Sequence, residues 1–358
     1  MKTPRENLLG LLRKQGYEWV PCEFFLCRSL EEQFHRDVGE DVDYMDYFSM
    51  PWRRLPDLIP DDDDRSRFLP YHAEKNHIQC EELDEGGVGH RATPTSMHMT
   101  QMFCPLREAD SVDVLEEYPL PTYSREKNPN LREYAEGLHA RGLASVGNMQ
   151  CTVWETSWYI RGMEPLMMDM MCDEEMAEAI LDRVTEMSVQ RAKLYAEAGV
   201  DILYLGDDVG MQQRLMMGVE MDVTWLKPRL KRVIDAAKAI NPDIIVFYHS
   251  CGYVEPLIPH LIEAGIDVLN PIQPECMDFG EIFEKYGDQV AFHGTVGTQR
   301  VMPFGTPEEV KAVVKKHLDI AGPKGGLFVA PTHLLEPEVP WENIRAYMEA
   351  CSEYHPAG

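Results

Sequence analysis

From Ala144 onward the chain repeats one grammar. A short apolar run rich in Ile and Val is followed by a helical pattern, and then the next apolar run begins. The strand-like runs are ASVGNM, DILYLG, DIIVFYH, IDVLN, QVAFHG and GLFVA. The helical patterns between them cover Trp154 to Met170, Asp173 to Ala198, Asp222 to Ile240, Val254 to Ala264, a short helix to Tyr286, Thr306 to Ala321 and Trp341 to Tyr354. Continuous apolar strands are buried on both faces, which parallel strands covered by helices require. With Trp19 to Phe25 read as a further strand, about seven strand–helix units are visible. That predicts an α/β fold of the (β/α)8 barrel type, a TIM barrel. A doubly wound open sheet is the competing topology, but it usually carries a Gly-rich phosphate turn after its first strand, and none stands here. Residues 1–358 are read as one barrel domain. The stretch 28–141 is acidic, rich in proline and poorly periodic, and is expected to form an irregular N-terminal elaboration within that domain.

Composition narrows the partners. Sixty-one acids against 34 bases leave a formal charge of −27, which repels nucleic-acid phosphates and anionic membrane surfaces. No apolar stretch reaches the ~18 residues of a membrane helix, and the N-terminal MKTPRENLLGLLRKQG is too charged for a signal peptide, so a cytoplasmic protein is expected. Nine cysteines in such a chain are reduced. Cys22, Cys80, Cys104, Cys151, Cys172 and Cys351 have no second ligand type at useful spacing and are read as core.

A barrel builds its active site at the C-terminal ends of its strands. Five consecutive ends here deliver Asp207-Asp208, His249-Ser-Cys251, Gln273 with Cys276, His293, and His333. In His249-x-Cys251 the period-two alternation of a strand end turns both side chains the same way. An imidazole with a thiolate prefers zinc to magnesium or calcium. A third ligand must come from another strand, and His333 and Cys276 are the candidates. Asp207 and Asp208 read as a metal, base or substrate-orienting pair, with a helix cap as the structural reading. Gln273 offers a weak contact or a hydrogen bond to a ligand, and His293 is a catalytic candidate or a hydrogen-bonding strut. The methionines near 163–171 and 211–221 are read as core.

At these residues the sequence resembles the uroporphyrinogen decarboxylase superfamily, and within it the zinc-containing corrinoid methyltransferases. The similarity runs through RENLLGLLRKQG, WETSWYIRGMEPLMMDM, YLGDDVGMQ, the segment from Trp225 to Glu275, FHGTVGTQ, PFGTPEEV and GGLFVAPTHLLEPEVPWENI. The resemblance implies a (β/α)8 barrel and a zinc ion held by His-x-Cys and a later Cys. It also implies methyl transfer between a corrinoid protein and coenzyme M. Where the coenzyme M enzymes place the later Cys, this chain has His333. One thiolate fewer leaves the metal a stronger Lewis acid, which opens the way to a folate, methoxy or methylamine compound in place of a thiol. Where the decarboxylases carry an Arg-rich motif that grips porphyrinogen carboxylates, this chain has FFLCRSLEEQFHR with only Arg28 near the place, which disfavours a decarboxylase-type lyase. No D-x-H-x-x-G cobalamin motif occurs, so methylcobalamin is expected to arrive on a partner corrinoid protein. A non-catalytic barrel that binds such a protein is the remaining alternative.

Overall fold

The computed structural model describes residues 2–72, 82–92 and 100–355; Cys80 lies outside them. Seven parallel strands form one sheet in the order β1 (Trp52–Arg54), β5 (Ala144–Gln150), β6 (Ile202–Gly206), β7 (Ile245–His249), β8 (Val268–Asn270), β9 (Ala291–His293) and β10 (Leu327–Phe328). The strands between are a small antiparallel sheet of β2 (Glu82–Leu83), β3 (Gly89–Ala92) and β4 (Thr100–Phe103). Helices lie between successive parallel strands, and the architecture is the (β/α)8 barrel.

The sheet curls because inward-facing aromatic rings must meet at its axis. Trp52 on β1 reaches across to Phe328 on β10 and Phe247 on β7, with ring centroids 5.5 and 5.6 Å apart. Tyr204 stacks on Phe247 at 4.4 Å, and His293 meets Phe328 at 4.9 Å. All five side chains are buried. This layer is the floor on which the polar rim stands.

Helix boundaries follow local chemistry. Thr306 accepts from the Glu309 N–H while the Glu309 carboxylate accepts from the Thr306 N–H, a reciprocal cap with Pro307 at the first helical position. The helix Glu174–Ala198 ends on Gly199 in the left-handed region. The helix expected from Trp154 to Met170 is two, Trp154–Arg161 and Met163–Cys172, broken where Gly162 takes φ +92°. The helix expected from Asp222 to Ile240 is likewise divided, into Val219–Trp225 and Lys227–Lys238, with Pro228 opening the second.

Two expectations about strands are corrected. Trp19 to Phe25 forms no strand; Leu26 alone makes a parallel bridge, to Leu335. Pro21 has no N–H for a ladder. At Glu23 the hydroxyl of Tyr347 takes the place of a neighbouring strand. It accepts the Glu23 N–H at 3.1 Å and lies 3.2 and 3.0 Å from the carbonyls of Glu23 and Val329. The segment beside β10 is thus stitched through a side chain. Conversely, the stretch 28–141 contains a barrel strand, β1, as well as the helices Arg28–Val38 and Leu131–Ala140. Cys172, read as core, is exposed.

Candidate metal centre

Three side chains from two adjacent strand ends converge above the aromatic floor. The Cys251 Sγ stands 3.3 Å from the His249 Nε2, and the Asp208 Oδ1 stands 3.7 Å from the same nitrogen. The ligand atoms of Asp208, His249 and Cys251 all lie within 4.8 Å of one another, and they form the one such cluster of three or more His, Cys, Asp or Glu among the described residues. Ligand atoms around a tetrahedral zinc, with bonds of about 2.0–2.3 Å, stand roughly 3.3–3.8 Å apart. The two spacings to His249 Nε2 fall in that range.

The backbone brings this about at two glycines. Gly206 ends β6 directly against β7: a Cβ there would lie 2.8 Å from the Cβ of His249 and 2.9 Å from its carbonyl oxygen. Only a residue without a side chain lets the two strand ends close so far. Gly252, at φ +84°, turns the chain sharply after Cys251, and its N–H donates to the Gln273 Oε1 at 3.1 Å. The Cys251 N–H in turn donates to the Asp208 Oδ1 at 2.7 Å.

Behind the cluster runs a buried polar chain of defined direction. The Asn270 side chain faces the His293 carbonyl at 3.4 Å, which can only accept, so that amide atom is the nitrogen. It also donates to His293 Nδ1 at 2.7 Å. The Asn270 oxygen therefore accepts from the Tyr204 hydroxyl at 3.2 Å and from the His249 Nδ1–H at 2.5 Å. His293, accepting at Nδ1, carries its proton on Nε2 and gives it to the Glu23 carboxylate. The consequence at the rim is specific: His249 holds its proton on Nδ1 and presents a bare Nε2 to Cys251 and Asp208. Burial also pushes the His249 pKa below its ordinary value, which favours the neutral ring a metal needs.

The two aspartates divide their work. Asp207 is buried and accepts the N–H groups of Val153 and Glu155 at 2.9–3.2 Å, anchoring the start of the helix Trp154–Arg161. Burial and the neighbouring Glu155 push its carboxyl up to about 8, against those N–H donors, which favour the charged form. Asp208 faces the cluster instead, and its N–H donates to Glu155 at 3.1 Å. Glu155 also accepts from the Tyr159 hydroxyl at 2.8 Å, and Cys151, at φ +62° just past β5, lies 3.6 Å from that hydroxyl.

Electrostatics makes the cluster acceptor-rich. Burial, then the carboxylates of Asp208 and Glu155, raise the Cys251 thiol; burial and Asp208 raise Glu155; burial and Glu155 raise Cys151. No Lys or Arg ion pair reaches Asp208 or Glu155 among the described residues. A divalent cation would reverse each of these shifts. Nitrogen, sulfur and one carboxylate oxygen suit zinc, and three protein ligands leave a fourth position open.

The remaining residues singled out in the sequence are distributed as follows. His333 is exposed and lines two cavities at this rim, one of about 320 Å³ with His249 and one of about 430 Å³ with Cys251 and Gln273, but it stands outside the three-residue cluster. Cys276 is half-buried on the loop after β8 and is also outside it, though near enough to raise the Cys251 thiol. Asn270, Glu23 and Glu155 were not among the sequence candidates. The signal for Asn270 was its place at the end of β8, in line with His249 and His293 on β7 and β9.

Comparisons with known proteins agree with this architecture. The uroporphyrinogen decarboxylase (URO-D) family model matches residues 123–354. A methylated-thiol–coenzyme M methyltransferase of Methanosarcina mazei is 29% identical over 205 residues, covering 54% of this chain and 49% of its own length. The methylcobamide:CoM methyltransferase MtaA of Methanosarcina barkeri is 25% identical over 182 residues, covering 51% of this chain and 50% of its own. The chain thus spans about half the length of the curated relatives it matches. A solved methyltransferase structure from Methanosarcina mazei superposes with a TM-score of 0.69 at 18% identity, covering 99% of both chains, and shares the fold.

Proposed function

The chain belongs to the uroporphyrinogen decarboxylase family, and from that premise we propose that it is a zinc-dependent methyltransferase of the cytoplasm. It moves a methyl group between a corrinoid protein and a small-molecule acceptor or donor, either a thiol, a folate, a methoxy or a methylamine compound. In this reading residues 1–358 work as one barrel unit.

The observation that carries the reading is the His249–Cys251–Asp208 cluster with its direction set by Asn270. Bound zinc would supply Lewis acidity, lowering the pKa of an acceptor thiol or polarising the leaving group of a methyl donor. The chain's own residues do the rest. Asn270 holds the His249 ring in one tautomer and one orientation. Asp208 and the Cys251 thiolate would hold the ion together with His249 and offset its charge. His333 and Gln273, on the rim of the neighbouring cavity, border the approach. In the acceptor direction a methylated corrinoid brought by the partner would supply the methyl group, its carbon–cobalt bond breaking, with the electron pair kept by cobalt, as the acceptor's lone pair bonds to carbon. The similarity to methyltransferases whose names specify methylcobamide supports a corrinoid partner. Among the described residues no helix is long and apolar enough to cross a membrane.

The test is metal analysis of the purified protein, together with methylcobalamin demethylation in the presence of candidate acceptors. About one zinc per chain and acceptor-dependent loss of methylcobalamin are expected. Protein that binds zinc only weakly and leaves methylcobalamin intact with every acceptor class would overturn the reading.

A further inference from the structure

Strand β1 places a second functional group over the floor. Along Trp52-Arg53-Arg54 the side chains alternate. Trp52 points inward, as its contacts with Phe247 and Phe328 show. Arg53 points the other way, pairing with Asp46 and the carbonyl of Met50. Arg54 therefore returns to the inner face one layer above Trp52. His249 stands above Phe247 on β7 by the same alternation.

The Arg54 guanidinium lies 4.8 Å from the centre of the Phe25 ring and 5.4 Å from that of Tyr204. It makes no hydrogen bond or ion pair among the described residues. Arg54 is exposed, so its N–H groups are open to an incoming ligand. Arg54 lines the cavity of about 320 Å³ that also contains His249, and the walls between them include Phe24, Phe25, Tyr44 and Tyr204. The ring of Tyr204 links the two ends, since it also stacks with the ring of His249 at 6.4 Å. Glu23 borders the same cavity; one of its oxygens accepts from His293 and the other is buried without a hydrogen-bond partner.

We propose that this cavity takes a flat aromatic carboxylate, with the carboxylate on Arg54 and the ring running along Tyr204 toward His249. A guanidinium held against aromatic faces keeps its N–H fork free and oriented, and that fork matches a carboxylate in a bidentate pair. Aromatic walls favour a planar ring by stacking. A quaternary or methylated ammonium group would instead face the Arg54 charge. The inference rests on the methyltransferase reading for its meaning, since it selects aryl methyl ethers with a ring carboxylate among the possible methyl compounds. Its test does not depend on that reading.

Binding is measured calorimetrically on the metal-free protein with 4-methoxybenzoate, and the Arg54 variants are compared. Arg54→Leu is expected to weaken binding about 10- to 100-fold, the loss of one charge-assisted bidentate pair, and Arg54→Lys to recover part of it. Methoxybenzene, lacking the carboxylate, and tetramethylammonium are expected to bind at least 10-fold more weakly than 4-methoxybenzoate. Equal affinity of wild type and Arg54→Leu would overturn the proposal, as would preference for tetramethylammonium. A small aliphatic anion such as 2-mercaptoethanesulfonate binding more tightly than 4-methoxybenzoate would also overturn it. Because no metal or corrinoid is present, failure of the zinc reading leaves this result unaffected.

Discussion

Replacing Asn270 with Leu removes the polar contacts that link Tyr204, His249 and His293 behind the site while nearly conserving volume. Asn270 is 3% exposed. Its side chain satisfies the His249 Nδ1–H, the Tyr204 hydroxyl and His293 Nδ1. Each buried group left without a partner costs about 1–3 kcal/mol, and some relaxation is expected, so the metal-free protein should lose about 3–6 kcal/mol of unfolding free energy. The second effect is on the metal. With nothing to hold its proton on Nδ1, the His249 ring is free to flip or to take the other tautomer. Loss of such a partner to a metal-bound histidine typically costs 10–100-fold in affinity. Zinc affinity by competition with a chromophoric chelator and denaturant unfolding of the apo-protein read the two effects separately. A variant that unfolds within 1 kcal/mol of wild type and holds zinc equally well would refute the argument that Asn270 directs this chain.

The adjacent aspartates should separate cleanly: Asp207→Ala should cost about 2–4 kcal/mol in unfolding experiments by freeing the start of the helix Trp154–Arg161, whereas Asp208→Ala should spare stability and lower zinc content. Cys251→Ala should remove most bound zinc and all methyl transfer while Cys276→Ala does much less, as read by elemental analysis; equal losses would make Cys276 a ligand. His317, buried and hydrogen-bonded to Thr295, has its pKa pushed down to about 4, by burial first. The unfolded chain takes up that proton near pH 6.5 and the folded one only near 4. Stability should therefore fall with acidity across that window, by up to about 3 kcal/mol, and His317→Gln should flatten this part of the pH profile of chemical denaturation.

How much of this was readable beforehand depended on whether a residue's role is local. Buried parallel strands announce themselves as apolar runs, and Thr306-Pro307 and Gly199 mark helix ends by their own backbone preferences. Strand β1 escaped notice because Trp52-Arg53-Arg54 carries two arginines and follows Pro51; its strand state comes from pairing with β5, 92 positions on by the Trp52–Ala144 register. Trp19 to Phe25 looked like a strand by composition, but the tyrosine that displaces its ladder is far along the chain. His249 and Cys251 were visible through their spacing. Asp207 and Asp208 were visible as a pair, yet their division of labour follows from which neighbour each meets, Val153 and Glu155 or Cys251. Asn270 was read only as the last residue of the strand IDVLN, and nothing local marks Glu23 as the end of a buried chain. Gly206 looked like an ordinary strand terminus until the nearness of His249 gave it a reason.

The hydroxyl of Tyr347 joins two pieces of backbone that the ribosome makes far apart, for Glu23 and Tyr347 are 324 residues from one another in sequence. The segment around Glu23 is made long before the helix Trp341–Glu353 that supplies this hydroxyl. The far end of the buried chain behind His249 is therefore held by two segments that are synthesised far apart. A nascent chain missing that helix already carries His249, Cys251 and Asp208 but not the clasp that seats Glu23. The polar chain that orients His249 thus gains its clasp only once the helix Trp341–Glu353 has packed against the segment around Glu23.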